Sequence, residues 1–181
     1  NSYYLYGIER TGVASGRKYI GGHDWFAEGA AVVLAQQGPD GSLHSGYGPV
    51  IDTSFSALFL VFGGAPVAFN KLESGAGQDW NLNPRDLANL SKYLWGAYER
   101  PLNWHSVGIS APASEFEAPI LFVSGRQAPQ FSDAEVKKLR EYLERGGTIL
   151  VEPTDHSTEF VAGAEQLLAR LYPPADYPNV K

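Results

Sequence analysis

Three short segments bring together side chains that could do chemistry. Asn70 and Lys71 close one apolar run, Ser124 and Arg126 close a second, and Glu152, Asp155 and His156 close a third. His156 beside Asp155 offers a general base with a carboxylate to orient it, and Ser124 offers a nucleophile. Together the seven side chains would make a polar cleft. A plainer assignment fits the same residues. Neighbours in sequence need not face each other, and Thr154 and Asp155 could cap the helix that follows while His156 is solvated. Ser124-Gly125 also suits a tight turn, because a nucleophile elbow takes glycine on both sides of the serine and Val123 precedes this one.

Other chemistries find no residues to carry them. The chain has no cysteine, which removes disulfides, thiolate metal ligands and a cysteine nucleophile. Its 4 histidines are scattered. His23-Asp24 and Asp155-His156 are the neighbouring imidazole–carboxylate pairs, and no H-x-x-x-H or H-E-x-x-H spacing occurs, so neither a metal nor a cofactor is expected. Gly63-Gly64 and Gly75-Ala76-Gly77 lack the frame of a phosphate-binding loop, and Gly21-Gly22 follows no strand. Aromatic residues crowd the first third of the chain. Tyr19, Trp25 and Tyr47, with Tyr3, Tyr4 and Tyr6, could line a cavity that stacks a glycan or an isoprenoid, or could pack helix on helix.

The elements that must hold these residues change in texture near residue 65. Before it, Asp24 reads as an N-cap, and Phe26, Ala30, Val33 and Leu34 share one helical face. Residues 36–42 make a turn. A second helix is expected over 52–62, with Phe55, Leu58, Phe59 and Phe62 on one stripe, and residues 3–9 read as the end of another. Glycine-rich links between buried helices suggest stacked hairpins of a repeat array.

After residue 65, strands and helices alternate. Residues 66–69, 104–109, 120–123 and 148–151 are strand candidates, the last two apolar enough to be covered on both faces. Asn83-Pro84-Arg85-Asp86 opens a helix. Ser132 and Glu135 form a capping box for a helix closed by Gly146-Gly147. That helix carries a solvated charged face over 137–145, with Glu141 and Arg145 spaced i, i+4. Residues 160–171 repeat at helical spacing. The order β-α-β-β-α-β-α predicts an α/β fold: a parallel sheet with helices on both faces, preceded by a few helices.

The chain has 181 residues, 44% hydrophobic and 19% charged, with a formal charge of −6. This is the composition of a folded protein, with no basic tract for nucleic acid. No stretch is long and apolar enough to insert in a membrane. The missing methionine and the amphipathic start at Tyr3-Tyr4-Leu5-Tyr6 suggest the interior of a longer chain or a processed product. A further strand is expected near Pro173, Pro174 and Pro178.

Two blocks resemble known families. Asp40-Gly41-Ser42 with residues 52–60 is similar to the last repeats of prenyltransferase/squalene-oxidase-like α/α-toroid domains. Asn70-Lys71-Leu72, Asp79-Trp80-Asn81, residues 84–90, Leu102-Asn103-Trp104 and residues 118–121 resemble a bacterial domain of unknown function that follows such repeats. Ser124-Gly125, Phe131-Ser132, residues 139–142 and Gly146-Gly147 continue the match. The resemblance implies a toroid tail over 1–64 and a flavodoxin-like, glutamine-amidotransferase-like domain over 65–181. It also implies an extracytoplasmic bacterial location, periplasmic or at the cell surface. Two departures limit the chemistry it implies. Asp24, Asp40 and Asp52 are isolated, unlike the aspartate-rich motif of toroid cyclases. The elbow where an amidotransferase carries its cysteine reads Glu152-Pro153-Thr154-Asp155-His156. The expectation is a non-catalytic binding or scaffold module whose partner is a protein, a small molecule or a glycan. The alternatives are a hydrolase or transferase at the strand ends, and glycan or isoprenoid binding in the helical half.

Overall fold

A computed structural model describes residues 1–173 other than 76 and 78, together with residue 175. The chain forms two compact units. One comprises Asn1–Val67 and Ala88–His105; the other comprises Ala68–Leu87 and the residues from Ser106 onward.

The first unit is mainly helical. Asn1 caps α1 (Ser2–Ser15) by accepting the N–H groups of Tyr3 and Tyr4 at 3.0 and 3.3 Å. A small antiparallel ribbon follows, β1 (Tyr19–Ile20) with β2 (His23–Asp24). Asp24 caps α2 (Trp25–Ala35), as its side-chain type predicts, by accepting the N–H of Ala27. The next helix, α3, spans Pro49–Gly63 and so starts three residues before the expected position. Pro49 occupies its first turn, where the missing N–H costs nothing. Trp25, Val33, Leu43 and Phe59 form the core between these helices. Trp25 lies so close to α1 that a Cβ on Gly12 would sit 2.4 Å from the indole.

Asp52, in the first turn of α3, is wholly buried and organises the preceding loop. Burial alone would raise its pKa. The N–H groups of Ser45 and Tyr47 and the hydroxyls of Ser2 and Ser45 outweigh that and hold it well below the usual carboxylate range. Glu9 on α1 is the opposite case. It is also fully buried, neither carboxylate oxygen has a hydrogen-bond partner among the described residues, and burial pushes its pKa up against a weaker pull from Arg10.

The remaining elements are β3 (Val67–Glu73), α4 (Asp86–Tyr98), β4 (Asn103–Gly108), β5 (Ile120–Gly125), α5 (Asp133–Glu144), β6 (Thr148–Pro153) and α6 (Thr158–Leu171). The four strands make a parallel sheet in the order β4-β3-β5-β6. Phe69 pairs with Ile120 across β3 and β5, and Ile120 with Thr148 across β5 and β6. Numbered from β3, the order is 2-1-3-4, consistent with the start of a flavodoxin-like sheet. Leu72, Leu121 and Val123 from the strands pack with Val136 and Leu139 of α5 and Phe160 and Leu167 of α6. Ser132 and Glu135 form the expected capping box on α5.

Several local expectations are corrected. The strand over 148–151 is not covered on both faces: among the described residues β6 is the last strand of the sheet, and Leu150 and Val151 are exposed. Its apolar run reads like that of β5, but burial depends on position in the sheet, which an isolated segment does not encode. Asn83-Pro84 precedes α4, which begins at Asp86. Ser157, not Thr154 or Asp155, caps α6 by accepting the N–H of Phe160. Glu141 meets Lys137 at 3.9 Å, while Arg145 is the C-cap of α5. The further strand expected near Pro173, Pro174 and Pro178 falls largely outside the described residues.

Candidate functional site

A parallel sheet presents its ligand site where the strand order reverses, beyond the carboxyl ends of the strands flanking the reversal. Here the chain runs from β3 to β4 on one side and then to β5 on the other. The switch point is therefore between β3 and β5. The segments that leave those two strands meet there through Asp79.

Asp79 Oδ2 accepts the backbone N–H of Arg126 at 2.8 Å. The N–H of Gln127 points to both carboxylate oxygens, at 3.3 and 3.4 Å. The N–H of Ala128 points to Glu159 Oε1 at 3.4 Å. Three successive backbone donors thus face carboxylates supplied by other parts of the unit. Gly125 makes the approach feasible, since a Cβ there would sit 2.6 Å from Asp79 Oδ1. The Arg126 guanidinium pairs with the Asp155 carboxylate, and both side chains are more than half exposed.

The seven polar residues expected at the strand ends divide into three groups. Arg126 and Asp155 do meet. Asn70, Lys71 and Ser124 are buried and engaged elsewhere. Asn70 Oδ1 accepts the N–H of Ala118 at 2.9 Å. Lys71 Nζ donates to Asn81 Oδ1, the Asn83 carbonyl and Asp86 Oδ2, and lies over the Trp80 ring. Ser124 Oγ donates to the Trp80 carbonyl at 3.1 Å. Glu152 and His156 are exposed. Among the described residues, no hydrogen bond joins Ser124 to His156.

Asp155 and His156 both take left-handed backbone conformations, with φ of 53° and 58°. Two adjacent non-glycine residues there hold local strain of the kind found at functional turns. Sequence reasoning marked Asp155 and His156 but missed Asp79, Gln127 and Glu159. The signal for Asp79 was available, since it follows Gly75 and Gly77 in the loop after the first strand of the sheet, where the switch-point rule looks.

In the helical unit the three expected stacking residues have different neighbours. Trp25 is in the core, and its Nε1 donates to the Arg17 carbonyl at 2.6 Å. Tyr47 packs edge-on to Tyr3, and Lys18 lies over Tyr19. A cavity of about 490 Å³ does open on α1, lined by Tyr3, Tyr4, Tyr6 and Ile20, but by none of those three. Asp24 caps a helix, Asp40 binds Ser42 in its own turn, and Asp52 is buried. Among the described residues, no three His, Asp or Glu side chains are grouped to hold a metal ion. No described helix is long and apolar enough to cross a membrane.

The fold defines an α/β protein with a parallel sheet and helices packed against it. Residues 68–180 match the family model described as a domain of unknown function, DUF4159, and the chain belongs to that family. No curated protein and no solved structure matches the chain.

Proposed function

We propose that the chain is a non-catalytic binding module, with the switch point beyond β3 and β5 as the place where a parallel sheet binds its ligands. The observation that carries this reading is the state of Ser124. Its hydroxyl is buried and committed to the Trp80 carbonyl, while His156, the base expected to serve it, is exposed. A nucleophile needs an accessible oxygen and a base within hydrogen-bond reach. The other groups beyond β3 and β5 are backbone donors held by Asp79 and Glu159 and the Arg126–Asp155 pair, none of which supplies a serine nucleophile with a base. A fluorophosphonate probe tests the point directly. Ser124 should stay unlabelled in the folded protein; covalent labelling at Ser124, abolished in His156→Ala, would establish the hydrolase alternative instead.

The same reading extends to the rest of the protein. The helical unit is the end of a toroid-like repeat array, the sheet shares descent with glutamine amidotransferases that keep their cysteine, and the protein works outside the bacterial cytoplasm. The succession of helices with glycine-rich links supports the first statement, and the strand order supports the second.

A further inference from the structure

We draw no further inference here: the strongest candidate, the apolar groove between β6 and α6 lined by Ile149, Val151, Phe160 and Leu168, carries none because nothing among the described residues shows what covers it.

Discussion

The ammonium of Lys71 lies 2.7 Å from Asp86 Oδ2, and the lysine side chain is almost entirely shut off from water. Asn81 and the Asn83 carbonyl take its other two protons, so every donor is satisfied. The lysine ties the loop before α4 to β3.

Removing either charge of this pair should have unequal effects. Asp86→Ala leaves a buried ammonium short of its counter-charge and is expected to cost about 3–5 kcal/mol. Lys71→Met keeps the volume and removes the charge, leaving a partly exposed carboxylate that water can reach. Its cost should be under ~1.5 kcal/mol. Urea unfolding of the two variants, compared at equal m-values, measures the difference. Equal losses would show that the pair does not behave as a buried one.

Glu9 predicts a pH dependence of the opposite sense to most acids. Its pKa is raised in the folded protein by burial, so the folded state binds the proton more tightly than the unfolded one. The stability this contributes is complete below the unfolded value of about 4.5 and is lost as pH rises through the folded value. Glu9→Leu should remove that loss and gain about 1–3 kcal/mol at neutral pH, the cost of burying a polar group without hydrogen bonds, less the weak attraction of Arg10 at 3.9 Å. Thermal melts across pH 4 to 8 should show the two curves converging on the acid side.

Asp52 predicts the reverse. Its pKa is depressed in the fold, so its contribution is full above the unfolded value of 3.8 and disappears as pH falls toward the folded one. Asp52→Asn should destabilise the helical unit at neutral pH and flatten its acid unfolding. It should also expose the amides of Ser45, Gly46 and Tyr47, which now donate to this carboxylate. Hydrogen exchange at those three amides is the sensitive readout.

His156 is exposed and sits at φ 58°, beside Asp155 at φ 53°. Glycine adopts that conformation without a Cβ clash, while losing more chain entropy on folding. His156→Gly should therefore stabilise the protein by about 0.5–1 kcal/mol, the balance of those two effects. A loss of stability of similar size would mean that the imidazole makes a contact that matters.

Much of the sheet was legible because its signals are local. The run 120–123 is long, apolar and bounded by glycine, and the Ser132–Glu135 box sets the start of α5 without help from the rest of the chain. The site was less legible, and the reason is geometric. Ser124 does fall near the end of β5, but Asn70 and Lys71, expected just beyond a strand over 66–69, lie in the middle of β3, and the sequence does not say that Trp80, Asn81 and Asp86 fold back to engage Ser124 and Lys71. Asp79 and Arg126 lie 47 residues apart. Their contact depends on strand order, and the order of strands in a sheet is a tertiary property. The same limit explains β6, whose composition resembles that of an interior strand while its place is at the margin.

That margin has a practical consequence. Among the described residues β6 is an edge strand with Leu150 and Val151 facing solvent, and such an edge is a template on which another extended chain can assemble, the usual route to edge-to-edge aggregation. Two residues at its end act as natural gatekeepers. Glu152 places a charge there, and Pro153 has no N–H to offer a neighbour. Replacing either with an apolar residue would lengthen the sticky edge, so a handling problem at high concentration should be sought here first. Solubility is best improved by a lysine on β6 and not by changes to the core.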